Sequence, residues 1–416
     1  MKYTEQDLEL LSREADEALE PIFRQIRAVA EKNTKKVLDI FKENKVDSSH
    51  FIGTDGYGYD DKGRDTLDKI YAQVMGTEAA FVRHSIANGT HALTIGLFGL
   101  LRPGDVMLSV TGKPYDTLDE VINGTEGNGS LRDFGVSYIQ RELLDGKIDL
   151  AGLEKMLSED KEGKIKVVYV QRSKGYLNRP TLTSEEINEA ARLTHKISKA
   201  YFVCDNCYGE FTELTEPYEA DLIIGSLIKN PGGGMADSGG YLAGSAKAVE
   251  LASYRLTTPG IGLEVGASLD QSKKIFKGLF YAPHTVAQAL MTAHFAAYIF
   301  EALGYETEPS WKDRRSDIIQ AVKLGSAEGL CAFCRGIQYG SPVDAYVTPE
   351  PWAMPGYSDE VIMAAGTFCM GASIELSADG PLRPPYTAFF QGGLTYESGK
   401  VGVLSAALEV IKQQNK

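Results

Sequence analysis

Three short segments hold the acid, the amine and the backbone donors that a small-molecule site would need. The apolar run YFVCD ends in Asp205, and a second run, DLIIGSLI, carries Ser226 and is followed at once by Lys229 and the glycine-rich NPGGGMADSGG. In an open α/β sheet ligands bind beyond the carboxyl ends of the strands, which makes these residues candidates for one site. A lysine that leaves a buried strand into apolar surroundings is expected to have a lowered pKa and a free amine able to form a Schiff base. The plainer alternative is a surface lysine that begins a loop. The third segment is SIANGTHALTIGLFGLL, where Asn88, Gly89 and Thr90 open a strongly apolar helix. Unpaired N–H groups at a helix mouth, with a glycine that permits close approach, suit a phosphate monoester. The glycines between 232 and 240 have no lysine and hydroxyl residue at Walker spacing, which excludes a nucleoside triphosphate there.

Together the segments ask for one ligand with a phosphate, an aldehyde for a lysine and a ring nitrogen that faces an acid. Pyridoxal 5'-phosphate (PLP) fits that description.

Strands and helices must alternate to hold such a constellation, and the sequence has that rhythm. Short apolar runs occur at 106–110 (VMLSV), 136–139 (VSYI), 165–170 (IKVVYV), 201–205 (YFVCD), 221–228 (DLIIGSLI) and 241–244 (YLAG). Helical patterns lie between them, one opened by a capping box of Thr183 and Glu186. This is the βαβ pattern of a largely parallel sheet covered on both faces. Leu8, Leu11, Ala15, Leu19, Ile22, Phe23, Ile26 and Val29 recur at helical spacing and predict an amphipathic arm, kinked near Pro21. From about His284 the pattern changes to a long apolar helix, then to mixed strand and helix with many prolines. The expected division is therefore an arm over 1–45, a large cofactor-binding domain over 46–283 and a smaller α+β domain over 284–416.

The formal net charge of −14 disfavours nucleic acid and anionic membrane surfaces as partners. The charged amino terminus and the lack of any spanning run lead to the expectation of a cytoplasmic protein with no membrane association. Five cysteines, an odd number spread thinly, fit a reducing compartment. Two C-x-x-C pairs, Cys204 with Cys207 and Cys331 with Cys334, have zinc-site spacing, but they fall in different expected domains and the first brackets Asp205. Buried cysteine is the simpler account, and no metal is expected. His84 and His91 flank the turn at 88–90 and read as packing residues.

The phrases YGYDDKGRDTLDKIYAQVMGTEAAFVRHSIANGTHAL, VCDNCYGEF and ADLIIGSLIKNPGGG resemble the cystathionine beta-lyase and methionine gamma-lyase family, closest to its aluminium-resistance branch. The resemblance covers most of residues 50 to 250. It implies an aspartate aminotransferase-like fold (PLP fold type I). It also implies that Lys229 binds the cofactor aldehyde and moves the Cα proton, that Asp205 pairs with the pyridine nitrogen, and that Gly89, Thr90 and Ser226 hold phosphate. Tyr115 matches the tyrosine that stacks on the ring and assists the leaving group. Where the family places a tyrosine and an arginine two residues apart, in a loop that reaches a neighbouring subunit's phosphate, this chain has Tyr57, Tyr59 and, farther on, Arg64. The family arginine for the substrate carboxylate has no close match. Arg383 in DGPLRPPY is the candidate, with Arg172, Arg255 and Arg335 as competitors.

The implied activity is elimination of a thiol from a small sulfur-containing amino acid, giving a 2-oxo acid and ammonia, in a homodimer or homotetramer with shared sites. An aminotransferase, a noncatalytic PLP-binding protein and a zinc-stabilised module are the alternatives.

Overall fold

The computed structural model describes residues 4–415, so residues 1–3 of the expected arm and residue 416 lie outside the described residues. Helix α1 (Glu5–Glu43) runs unbroken through Pro21. Contacts divide the chain into one unit of Lys35–Phe280 and another made of the chain up to Thr34 together with everything from Tyr281 onward. The segment expected as an arm is thus shared between the units. Its apolar stripe explains the sharing, because Leu8, Ala15, Leu19 and Phe23 are buried in the same core as Phe295 and Phe300.

In the unit of Lys35–Phe280, α2 (Lys62–Met75) leads into β1 (Ala79–Arg83), α3 (Gly89–Leu100), β2 (Val106–Ser109), α4 (Asp116–Asn123) and β3 (Ser137–Gln140). Then come α5 (Leu150–Glu159), β4 (Ile165–Gln171), α6 (Ser184–Ile197), β5 (Tyr201–Asp205), β6 (Leu222–Ser226), β7 (Gly240–Gly244) and α7 (Ala246–Leu256). The seven strands pair in the order β1-β7-β6-β5-β4-β2-β3. Strand β7 is antiparallel to both its neighbours, and the remaining pairs are parallel.

The sheet is mostly parallel, as expected, but the edge strand β1 escapes the sequence reading. AAFVR is short and ends in a charge, which Asp68 neutralises by a two-pronged pairing with Arg83 at 2.7 and 3.0 Å. Helix α3 is apolar nearly all round because it is buried against the sheet and α7. Its close approach requires Gly99, where an added Cβ would come within 2.7 Å of the Ala252 Cα.

Helix α8 (Ser272–Ala302) begins earlier than the expected start near His284. It continues into β8 (Glu306–Glu308), β9 (Gln320–Lys323), α9 (Ala327–Tyr339), β10 (Val361–Ala364), β11 (Leu376–Pro381), β12 (Thr387–Gly392) and α10 (Tyr396–Gln414). The five strands form a separate antiparallel sheet, β10-β11-β12-β9-β8, and α9 packs on α10 beside it. This is the expected small α+β architecture. No helix among the described residues is long and apolar enough to cross a membrane.

Candidate active site

Strands β1, β2, β4, β5 and β6 point the same way, so their carboxyl ends share one edge of the sheet. Every residue singled out after an apolar run in this unit stands at that edge. Asn88 caps α3, and its side chain accepts from the His91 N–H at 2.8 Å. The cap leaves the first-turn N–H groups of Gly89 and Thr90 without partners inside the helix. A Cβ built on Gly89 would lie 3.3 Å from Cys207 Sγ and 3.6 Å from Ser226 Cβ, which brings the helix mouth against the ends of β5 and β6. Ser226 is buried and donates to the Gly239 carbonyl at 3.4 Å.

Asp205 ends β5 and is 4% exposed. Its carboxylate accepts from the Cys207 N–H at 3.1 Å and from the Tyr169 hydroxyl at 3.5 Å. Burial pushes its pKa up, against the hydrogen bonds from Cys207 and the charge of Lys229. A carboxylate that accepts these two hydrogen bonds keeps lone pairs for a further donor. Tyr115 precedes α4, with its N–H on Gln171 Oε1 at 3.0 Å and its hydroxyl 3.0 Å from Thr90 Oγ1. Burial, and then the charge of Asp205, hold its phenol well above the ordinary range, so it is a proton donor at neutral pH.

Lys229 follows β6 and is half-buried. Its Nζ donates to the Tyr208 hydroxyl and sits 3.7 Å from the centre of the Tyr208 ring. The expectation of a lowered pKa is overturned. Burial pulls the value down, but Tyr208, Cys207 and Asp205 together hold the ammonium above its ordinary value.

Tyr208 is the residue that sequence reasoning missed. It adopts φ +72°, a left-handed conformation costly for a tyrosine, and so places its phenol against the lysine. The only available signal was an aromatic beside the acid in VCDNCYGEF. Next to it, Glu210 is fully buried and accepts from the Tyr241 hydroxyl at 2.9 Å. Burial, followed by Glu216, pushes its pKa up to about 8.

The remaining residues lie differently. Tyr57 and Tyr59 are 73% and 62% exposed and stack on each other at 5.6 Å. Arg64 is buried and donates to the carbonyls of Gly58 and Gly266 at 2.6 and 3.0 Å. Arg172 is fully buried on Asn206, Glu213 and Glu216. Arg255 donates to the Phe98 carbonyl, and Arg335 pairs with Glu350. Arg383, in the C-terminal unit, pairs with Asp359 at 2.8 Å. His84 and His91 both bond to backbone groups. All five cysteines are free, and the described residues contain no cluster of three or more His, Cys, Asp or Glu able to hold a metal ion.

The profile of the family described as methionine gamma-lyase matches residues 8–411. An uncharacterized Bacillus subtilis protein, YnbB, is 51% identical over 98% of this chain and 98% of its own length. A Clostridium acetobutylicum protein, provisionally named a cystathionine beta-lyase involved in aluminum resistance, is 45% identical with a TM-score of 0.93, covering 97% of this chain and 95% of that one. A carbon-sulfur lyase involved in aluminum resistance from Clostridium novyi is 46% identical with a TM-score of 0.92, covering 97% and 96%. The Escherichia coli protein YhfS, described as dependent on pyridoxal-5'-phosphate, is 15% identical with a TM-score of 0.61, a likeness of fold alone.

Proposed function

The chain belongs to the methionine gamma-lyase family, whose members are PLP-dependent carbon-sulfur lyases, and on that premise we propose that it expels a thiol from a sulfur-containing amino acid to leave a 2-oxo acid and ammonia. The observation that carries this reading is the gathering, at one edge of the sheet, of the amine after β6, the acid at the end of β5 and the mouth of α3.

The residues present fit the cofactor. A buried carboxyl whose ionisation is unfavourable gains from a cation beside it, and a protonated pyridine nitrogen is one. Gly89, Thr90 and Ser226, with Asn88 as the cap, would hold the phosphate. Lys229 would hold the aldehyde. When bound there, PLP supplies a ring that accepts the electrons released at Cα.

Each remaining role falls to a side chain. Asp205 keeps the proton on the ring nitrogen. Lys229 Nζ takes the proton from Cα. Tyr115 donates its phenolic proton to the departing sulfur, a role its raised pKa supports. Arg383 is the candidate for the substrate carboxylate that the sequence offers, on the stiffness of the two prolines that follow it. The family likeness, with the exposure of Tyr57 and Tyr59, supports a homodimer or homotetramer in which these two tyrosines serve a partner copy's phosphate, while Arg64, buried in α2, is held on carbonyls of its own chain.

The test is an absorbance spectrum with added PLP, then borohydride reduction and peptide mapping. The pyridoxyl label is expected on Lys229, and wild type should release thiol, 2-oxo acid and ammonia without a 2-oxo acid acceptor. A protein that stays colourless, or a label on another lysine, overturns the assignment.

A further inference from the structure

Thr90 Oγ1 lies 3.0 Å from the Tyr115 hydroxyl and 3.1 Å from Thr117 Oγ1, so the three hydroxyls form an unbroken chain. The chain is built by two helix starts. Thr90 stands in the first turn of α3, and Tyr115 precedes α4, which carries Thr117 in its own first turn. Thr90 therefore turns its side chain toward Tyr115 and leaves its backbone N–H for an anion at the helix mouth. Thr117, at the far end, is half-buried, so part of the residue meets solvent.

Resting on the lyase reading above, we propose that Thr90 and Thr117 relay protons from solvent to Tyr115 and so keep the leaving-group acid charged with its proton. The balance is simple. The carbon–sulfur bond breaks with its electron pair on sulfur, and the Tyr115 proton forms the S–H bond. Tyr115 regains a proton from Thr90, Thr90 from Thr117, and Thr117 from water. The proton that Lys229 removes from Cα leaves to solvent separately. No oxidant or further reactant is needed. A relay is useful at this position because burial makes a lingering phenolate on Tyr115 unfavourable.

The test compares Thr117→Val, which keeps the shape and removes the hydroxyl, with Thr117→Ser, which keeps the hydroxyl and removes the methyl. The substrates are the S-ethyl and S-(nitrophenyl) derivatives of L-cysteine and L-homocysteine. An alkyl thiolate needs a proton to leave, and a nitrophenyl thiolate does not. Thr117→Val is expected to slow release of ethanethiol by about tenfold. Release of the nitrophenyl thiol should change by less than about twofold, and Thr117→Ser should match wild type. Equal slowing of both leaving groups, no slowing of either, or failure of Thr117→Ser to match wild type overturns the relay and leaves the lyase reading standing. If wild type releases thiol from none of these compounds, the lyase reading falls and the relay with it. A second readout uses cofactor-free protein labelled at the tyrosine Cζ carbons. The Tyr115 resonance, assigned with Tyr115→Phe, should move in Thr117→Val, and an unmoved resonance overturns the hydroxyl chain.

Discussion

Lys229 Nζ donates to the hydroxyl of Tyr208 while it sits 3.7 Å from the centre of that ring. The phenol thus holds the amine as an ammonium, and only the neutral amine can attack an aldehyde. Tyr208→Phe removes the acceptor and keeps the ring, so the Lys229 pKa should fall. Each unit of fall raises the neutral fraction roughly tenfold at neutral pH. Stopped-flow capture of PLP by cofactor-free protein should therefore be several-fold faster in the variant at neutral pH. The two rates should converge in strong alkali, where both amines are neutral. Equal rates at neutral pH would show that Tyr208 does not set the charge of Lys229.

Asp205→Asn should separate folding from chemistry. The carboxyl's folded pKa is raised above its ordinary 3.8, mainly by burial. As pH rises through 3.8, the unfolded chain loses its proton while the folded one keeps it, so wild type loses stability over that rise. Asparagine has no proton to lose. The cofactor-free variant should therefore melt above wild type at neutral pH, and the difference should vanish below the ordinary carboxyl range. With PLP present the order should reverse, because the acid is needed to pair with the ring nitrogen, and turnover should drop by about a hundredfold or more. Melting curves with and without PLP check both halves.

Strand ends were legible in the sequence because an apolar run bounded by an acid or a turn has few other readings. YFVCD and IKVVYV emerge as strands with Asp205 and Gln171 at their ends. DLIIGSLI overran its strand, since Leu227 and Ile228 are apolar but follow Ser226, where β6 stops. AAFVR was missed because the partner of Arg83, Asp68, lies on a helix and no local pattern reveals it. The same limit hid Tyr208: a positive φ at a tyrosine and the direction of its phenol are set by tertiary contacts. It also inverted the pKa of Lys229, because burial can be inferred from a strand end and a neighbouring phenol cannot. Arg172 looked like a substrate binder by residue type, whereas its donors are spent on Asn206, Glu213 and Glu216.

That burial makes Arg172 a folding residue. Arg172→Met keeps most of the volume but leaves the buried Glu216 and Asn206 and the half-buried Glu213 without their cation. The expected loss is about 3–5 kcal/mol of stability. Urea denaturation should show the shift. In whatever fraction still folds, KM for an amino-acid substrate should match wild type. A raised KM with unchanged stability would return Arg172 to the list of carboxylate binders.

Glu210 gives a pH dependence of its own. Its folded pKa of about 8 exceeds the ordinary 4.5, first because of burial and then because Glu216 lies near. Between those values the folded protein holds a proton that the unfolded chain has released, so stability falls as pH rises from 4.5 and levels off above about 8. Glu210→Gln imitates the protonated side chain and keeps an acceptor for Tyr241. The variant should track wild type near pH 4.5 and exceed it by on the order of a few kcal/mol at alkaline pH. Asn230, the neighbour of Lys229, donates to the Glu210 backbone carbonyl at 2.9 Å, a bond the substitution leaves in place, so the flattened profile should appear in melting while cofactor capture stays as in wild type. A variant whose stability falls with pH as steeply as wild type would show that Glu210 is not the group that titrates.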